Sequence, residues 1–457
     1  MFDQDTICAV STAAGVGSIA IIRVSGKDAI GIAGRLFDSK GNVKLAHVSS
    51  HTIHFGWICD PESGERIDEV LVSVMRRPRT YTREDVIEIN CHGGIVPLKR
   101  TLKILQREGA RLAAPGEFTK RAFLNGRIDM TQAEAVMDVI SARTEKSHKA
   151  AKEQLEGGLS KATAEIREQV IGLLAGVEAT VDFPEEDIET PSGVRIEKEI
   201  GEIQKRMSQL ISRAAYGRLL REGIAVAIVG RPNVGKSSLM NALLMRERAI
   251  VTDIPGTTRD VIEEGLNIDG MPVRIIDTAG IRDTHDMVER EGVKRSLLAL
   301  ESADVVLTVF DGSEPLHDAD RFVIEAVGCR KAVIAVINKD DCKRKLESLP
   351  ALQKHVIVSC KDGRGLEILK REIVAAVTQE AFVRSDHAWV INERHREALE
   401  QAAESMERAR RSVQDRLSPE LIAVDLRDAL DQVGTIIGTT YTEDILERIF
   451  RDFCIGK

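Results

Sequence analysis

Apolar and polar positions change rhythm along the chain, and each change predicts a different kind of structure. Over residues 1–120, short apolar runs alternate with turns. Residues 18–24 (SIAIIRV), 69–75 (EVLVSVM) and 85–90 (DVIEIN) have the length and β-branched content of strands. Residues 28–36 and 96–108 repeat apolar side chains at i, i+3 and i+4, which predicts helices. This is the pattern of an α+β domain. From about 127 the period lengthens. Residues 130–141, 150–183 and 196–222 predict long helices, with Ile166, Val170, Leu173, Leu174 and Val177 forming one apolar stripe. The run FPEED at 183–187 and the PSG at 191–193 interrupt them. At Gly223 strands and helices begin to alternate. Residues 224–229, 273–277, 305–311 and 332–338 are dense apolar runs of the buried parallel type. After 380 the chain returns to helices, over 393–416, 419–433 and 442–453.

The predicted fold class is therefore multidomain α/β. An N-terminal α+β domain (1–120) precedes a helical domain in two parts (121–222 and 381–457), and an α/β domain (223–380) is inserted between those parts. Neither helical flank has a strand to pack on, so each buries its stripe best against the other.

Composition narrows the function classes. Aromatics are 4% of the 457 residues, too few for extensive base-stacking platforms. The formal net charge of −8 argues against a generally basic coat while leaving room for a local basic patch. The seven cysteines form no C-x-x-C pair and read as reduced thiols. No apolar run reaches 18 residues, and MFDQDTICAV lacks the features of a secretory leader. A cytoplasmic protein without a membrane span is expected.

The inserted domain carries the clearest chemistry. GRPNVGKS at 230–237 follows a strand and opens a helix over 238–244, the context that a phosphate loop requires. Its glycines allow backbone N–H groups to approach phosphates, and the helix N-terminus adds partial positive charge. Asn233, Val234, Gly235, Lys236, Ser237 and Ser238 line this loop; Lys236 reaches the β/γ-phosphates and Ser237 ligates Mg²⁺. Asp277, Thr278, Ala279 and Gly280 end the next strand, with a carboxylate on the Mg²⁺ side and a glycine N–H for the γ-phosphate. Asn338, Lys339, Asp340 and Asp341 end another. Asp340 is expected to accept both guanine N–H groups and Asn338 to touch the base edge. Ser359, Cys360 and Lys361 stand where a backbone N–H reads the guanine O6. GTTRD at 256–260 is the switch segment, whose threonine closes on Mg²⁺ and the γ-phosphate. Four motifs in this order predict a Ras-like P-loop GTPase domain with GTP and Mg²⁺ as ligands.

The water-orienting glutamine found after the D-x-x-G glycine in many GTPases is replaced by Ile281, which cannot act. Two nearby groups can substitute. Asn233 can help hold a monovalent cation against the phosphates, and Glu289 can orient the attacking water. Glu289 also reads as a solvated acid in the first turn of a helix, a common placement.

Beyond these motifs the chain resembles the tRNA-modification GTPase family called MnmE or TrmE. The resemblance rests on DTICAVSTAAGVGSIAIIRVSG, YTREDVIEINCHGG, PGEFTKRAFLNGRIDMTQAEAV, VDFPEEDI, GRPNVGKSSLMNALL, DIPGTTRD, DTAGIRDTHDMVEREG and the terminal FCIGK. It implies K⁺-stimulated hydrolysis driven by dimerisation of the G domains, with K⁺ held at the positions of Asn233, Thr252, Ile254 and Thr257. The switch then contributes Asp253 to the nucleotide site and Thr258 to Mg²⁺, and Glu289 becomes the water-orienting residue. It implies a dimerising N-terminal domain that holds a formyl-tetrahydrofolate through Arg23, Glu88, Arg127 and Lys457. It also implies a homodimer that works with the flavoprotein MnmG (GidA), in a heterotetramer, on C5 of the wobble uridine of certain tRNAs. Cys454 matches the family's catalytic cysteine. The opening loop STAAGVG at 11–17 departs from the family's pattern and reads as a tight turn, because it lacks the Lys and Ser/Thr of a second phosphate loop.

Two other readings share these motifs. An Era-like ribosome-assembly GTPase shares the G domain but calls for a basic RNA-binding module, which neither flank shows. A scaffold with a vestigial G domain conflicts with intact Lys236, Ser237, Asp277 and Asp340.

Overall fold

The computed structural model describes residues 5–13, 15–182, 193–245, 264–276, 302–328, 332–346, 354–378, 391–451 and 453–456. They fall into two compact units, one formed by residues up to 137 and from 434 on, the other mainly by residues 138–433. Among the described residues no helix is long and apolar enough to cross a membrane.

The first unit is built on strands β1 (Thr6–Val10), β2 (Ile19–Ser25), β3 (Phe37–Asp38), β4 (Thr52–Cys59), β5 (Arg66–Met75), β6 (Val86–His92) and β7 (Ala110–Leu112). They form one sheet in the order β3-β4-β5-β6-β2-β1-β7, antiparallel except for the β1–β7 pair. Helices α1 (Ala29–Leu36) and α2 (Ile95–Arg107) supply the other side of the core. Alternation along β2 decides what goes where. Ala20, Ile22 and Val24 are buried in the core with Val72, Ile87 and Ile89, which leaves Arg23 on the opposite face. The register pairs Arg23 directly with Glu88 of β6. The tight turn expected over 11–17 includes residue 14, outside the described residues; Gly17, near its end, donates to the Gly93 carbonyl at 3.1 Å.

Helix α3 (Glu117–Leu124) begins after Gly116, whose φ is +66°. A Cβ there would lie 2.9 Å from the Phe453 side chain, so glycine is needed for the C-terminal segment to close in. Helix α4 (Met130–Ser141) starts where the sequence pattern placed it. At one end of α3, Arg121 is buried among carboxylates, with Asp5 at 2.5 Å, Glu117 at 3.0 Å and Glu84 at 3.2 Å. Arg111 binds Asp5 and Glu117 from the outside. Burial pushes the Asp5 and Glu117 carboxyls up, but hydrogen bonds and charge from Arg111 and Arg121 outweigh it and hold both below their ordinary values. Removing the central cation strands these acids. Arg121→Ala is therefore expected to cost about 3–5 kcal/mol. Depressed folded pKa values give stability that is present above the unfolded value of about 4 and lost as pH falls through the folded values. Denaturation midpoints between pH 6 and 2 should thus fall steeply for the parent and less steeply for the variant. Parallel curves would remove the network from the stability account.

In the second unit, α5 (Glu145–Leu155), α6 (Gly158–Asp182) and α7 (Gly193–Glu222) precede the nucleotide-binding motifs. The expected single helix over 150–183 is divided. Gly157, at φ +89°, ends α5 by donating its N–H to the Gln154 carbonyl, a left-handed C-terminal stop that glycine favours. The predicted stripe of α6 is buried at all five positions.

Strands β8 (Ile224–Val229), β9 (Glu264–Ile268), β10 (Met271–Ile276), β11 (Val305–Asp311), β12 (Val333–Asn338) and β13 (His355–Ile357) form a second sheet in the order β13-β12-β11-β8-β10-β9. All pairs are parallel except the β9–β10 hairpin. Helices α8 (Lys236–Met245), α9 (Asp318–Val327) and α10 (Leu366–Thr378) belong to this α/β part. Its core includes Ala150 of α5 and Leu219 and Leu220 of α7. Helix α11 (Glu393–Gln414) lies along α7, where Gln204 donates to Glu407 at 3.2 Å. Helices α12 (Pro419–Ile437) and α13 (Glu443–Arg451) complete the chain. In the first unit, Leu446, Phe450 and Phe453 pack with Met130 and Ala133.

Candidate functional site

Strand β8 is buried at every position and sits between β10 and β11, so its C-terminal end opens at the middle of the sheet. The loop from Gly230 runs close over β11; a Cβ on Gly230 would lie 2.5 Å from the Val309 carbonyl oxygen. Asn233 adopts φ +65°, a conformation that asparagine tolerates better than most residues. Gly235 takes φ +98°, and a Cβ there would lie 2.2 Å from Asn338 Nδ2. These constraints keep the loop tight, with its backbone free to approach an anion. Lys236 Nζ donates to the Gly230 and Arg231 carbonyls, at 2.9 Å each, and its partial burial lowers its pKa. Val234 is buried, while Asn233, Ser237 and Ser238 are exposed.

Asn338 ends β12, 2% exposed. Its Nδ2 donates to the Val234 carbonyl at 2.9 Å, and its Oδ1 accepts the Cys360 N–H at 3.4 Å. One amide thereby ties the phosphate loop to the loop after β13. The two aspartates that follow diverge. Asp340 Oδ2 accepts from Arg364 at 3.3 Å. Asp341 Oδ1 accepts the Ser359 hydroxyl at 3.1 Å, beside the Cys360 N–H that Asn338 holds. The expectation that Asp340 accepts the guanine N–H groups does not fit this geometry, because its carboxylate already faces a guanidinium. Asp341 is the carboxylate oriented together with Asn338 and Cys360. Burial, and next the charge of Asp341, push the Cys360 thiol up to about 11, which keeps it an inert small side chain. Lys361 is exposed.

Further groups brace this site, and of these Asp311, Arg231 and Glu314 were not singled out from the sequence. Lys339, at φ +66°, donates to the buried carboxylate of Asp311 at the end of β11. Burial raises the Asp311 pKa, but hydrogen bonds from Lys339 and Ser313 outweigh it and hold it low. Arg231 is paired with Glu314 and sits 3.4 Å from Asp320, anchoring the phosphate loop to the segment after β11. The available signal was the acid-bearing DGSE run at 311–314, directly after a buried strand.

The other expected cluster lies in the first unit. Arg23 donates to Glu88 from Nε (2.9 Å) and Nη2 (2.8 Å), and its Nη1 donates to the Gly456 carbonyl at 3.2 Å. Ser11 Oγ donates to that same carbonyl at 3.2 Å. Tyr81 lies with its ring centroid 5.5 Å from the Arg23 guanidinium and 4.6 Å from that of Arg127, which also donates to the Tyr81 carbonyl at 3.2 Å. Arg23, Glu88 and Arg127 are thus brought together around a tyrosine. The backbone carbonyl of Cys454 accepts the Gly116 N–H at 3.4 Å, and the cysteine itself is half-buried. Arg23 is neutralised by Glu88, so the ring carries one uncompensated cation among the described residues, Arg127, an arrangement that suits an anionic, flat ligand. Thr252, Asp253, Ile254, Thr257, Thr258, Asp277, Thr278, Ala279, Gly280, Glu289 and Lys457 lie outside the described residues.

Comparison with known proteins bears on the family of the chain. Residues 6–127 match the family described as GTP-binding protein TrmE N-terminus, and residues 130–454 match the MnmE helical domain. The chain is 46% identical to the tRNA modification GTPase MnmE of Acetivibrio thermocellus, over 100% of both chains. It is 47% identical to the protein of the same name from Geobacillus thermodenitrificans, again over 100% of both. Among solved structures, Era bound to MgGDPNP and a 16S ribosomal RNA segment is 32% identical over 33% of this chain and 56% of that one, at a TM-score of 0.27.

Proposed function

The chain belongs to the MnmE family of tRNA modification GTPases, and on that premise we propose that it is a K⁺-stimulated enzyme acting on the wobble uridine. GTP hydrolysis itself follows from family membership. The finer reading is that two copies pair through their G domains, and that the homodimer works with the flavoprotein MnmG (GidA). Together they convert C5 of the wobble uridine of certain tRNAs to an aminomethyl-type derivative, carboxymethylaminomethyl. The full-length relatives disfavour the Era-like alternative. The observation that best supports a working guanine-nucleotide site is the Asn338 amide joining phosphate loop and base-reading loop.

In this reading Lys236 binds the β/γ-phosphates, where a desolvated ammonium interacts more strongly than in water. The exposed hydroxyl of Ser237, with Thr258, would hold Mg²⁺, which neutralises phosphate charge. Asn233, Thr252, Ile254 and Thr257 would hold K⁺. Glu289 orients the attacking water. Asp341 accepts the guanine N–H groups and the Cys360 N–H serves O6. The domain limits at 120, 222 and 380 and a cytoplasmic location are part of the same proposal. A formyl-tetrahydrofolate would be held at the cluster of Arg23, Tyr81, Glu88 and Arg127, with Lys457 added to it by the family resemblance alone.

The test is nucleoside analysis of tRNA from cells lacking this chain, complemented by variants. Cys454→Ser should retain GTP hydrolysis and melting temperature yet lose the modified wobble uridine. Arg23→Ala should weaken formyl-tetrahydrofolate binding without changing GTP affinity. An unchanged nucleoside profile in the deletion strain would refute the wobble assignment. A normal profile with Cys454→Ser would remove the thiol from the chemistry.

A further inference from the structure

The −8 chain has most of its described arginines tied to acids; Arg35, Arg66, Arg100, Arg107, Arg218 and Arg408 are examples. The loop between β5 and β6 is an exception. Residues 76–83 (RRPRTYTR) carry four arginines and no acid. Arg76 turns inward and is spent on the backbone carbonyls of Leu45, Ala46 and Val48. Arg77, Arg79 and Arg83 are exposed, and among the described residues none of their guanidinium groups pairs with a carboxylate, although the Asp85 carboxylate lies beside the Arg77 backbone. Among the described residues the Arg83 guanidinium donates from Nη1 to the Asn125 carbonyl at 2.9 Å, which fixes the group in place with a neutral partner and leaves its charge uncompensated. Exposed Arg127 adjoins it, since a Cβ on Gly126 would lie 3.5 Å from Arg83 Nη1.

The neighbouring acids are engaged elsewhere. Glu84 is bound by Ser25 at 2.7 Å and by Arg121 at 3.2 Å. Asp85 accepts the Arg77 backbone N–H at 2.9 Å. The loop is also well held, by Thr80 Oγ1 on the Glu84 carbonyl at 2.6 Å and by Asn125 Nδ2 on the Thr82 carbonyl at 2.7 Å. It is a fixed ridge of unneutralised guanidinium groups on an acidic protein, a local field that draws polyanions.

We propose that this loop, through Arg77, Arg79 and Arg83, is the docking surface for the RNA phosphate backbone of the tRNA substrate. The inference rests on the tRNA-modification reading above. Guanidinium groups bind phosphate oxygens with fork geometry and need no base readout, which suits a chain with few stacking aromatics. The ridge continues through Tyr81 and Arg127 to the Arg23–Glu88 cluster. RNA held on it would place a base beside that cluster, where the one-carbon chemistry is proposed.

The experiment uses the full chain and an unmodified tRNA transcript with a wobble uridine, titrated over a series of KCl concentrations. Arg77→Gln/Arg79→Gln should bind the transcript at least about tenfold more weakly, since two charge-assisted contacts are lost. The slope of log affinity against log salt should become shallower by about two, one for each phosphate contact. GTP hydrolysis, formyl-tetrahydrofolate affinity and melting temperature should not change. Arg321→Gln/Arg371→Gln, at exposed arginines of α9 and α10, controls for the loss of two charges and should bind as the parent does. Parental affinity and slope in the double variant, an equal loss in the control, or no transcript binding by the parent would each overturn the proposal. So would loss of folate binding with RNA binding retained, which would assign the arginines to the folate's anionic tail. Complementation separates this from the reading beneath it. If the deletion strain lacks the modified uridine and the double variant restores it fully, only the docking surface fails; if the deletion strain keeps the modification, the reading fails.

Discussion

Asp341→Asn is expected to lower GTP affinity by about 10⁴-fold or more, while Asp340→Asn changes it by no more than about threefold. Guanine presents two donors, N1–H and the exocyclic amine, and a buried-edge pairing of this kind rejects a mismatched partner by roughly 10⁴–10⁵. An asparagine at 341 can still accept the Ser359 hydroxyl, so the loop keeps its shape, but it turns one oxygen into a second donor. Xanthine carries a carbonyl where guanine has the amine, so XTP should recover much of the binding to Asp341→Asn. Asp340, facing Arg364, has no such role. Titrations of both variants with GTP and XTP decide the matter. If Asp340→Asn loses GTP and Asp341→Asn does not, the assignment made here is reversed.

The second large effect concerns the hydrolytic step. Glu289→Ala is expected to leave GTP affinity within about twofold and to cut kcat by roughly 10²–10⁴, the usual worth of a positioned acid–base group. The loss should appear in KCl and be far smaller in NaCl, where the parent is already slow. Asn233→Ala should remove the difference between the two salts, because a preorganised cation on the developing phosphate charge is worth about 10²–10³ in rate. Single-turnover hydrolysis at matched ionic strength measures all six rates, for the parent and both variants in each salt. Parental turnover by Glu289→Ala in KCl would leave it a surface acid, and equal parental rates in both salts would exclude the cation role.

What could be read from the sequence depended on how strongly each segment contrasted with its surroundings. The parallel strands β8, β11 and β12 are buried on both faces, so they appear as continuous apolar runs and were located within a residue or so. Strand β4 was missed because its outward positions carry Ile53 and Phe55, exposed by 66% and 48%, which erases the alternation that signals a half-buried strand. The three-residue strands β7 and β13 are too short to show any period. The break between α5 and α6 was written in the Gly157-Gly158 pair, overridden by helical periodicity on either side. At the nucleotide site the motifs name residues but not how their side chains are oriented. Whether Asp340 or Asp341 faces the base depends on Ser359 and Arg364, partners from a different loop. The bridging role of Asn338 likewise joins residues 104 and 22 positions apart.

The Gly456 carbonyl on Arg23 has a further consequence, for the order in which the chain is made. The sheet holding Arg23 and Glu88 is encoded in the first quarter of the chain, yet Arg23 and Ser11 bind a carbonyl 433 and 445 residues later. A Cβ on Gly456 would lie 2.3 Å from the Val10 carbonyl oxygen, so the late segment is seated against the first strand itself. At about 5–20 residues per second, a ribosome reaches Gly456 roughly 20–90 s after that strand is made. Through that interval the nascent domain has its sheet but not its completed cluster. A product released before Gly456 would carry the strands of the first unit without the backbone contact that closes the cluster.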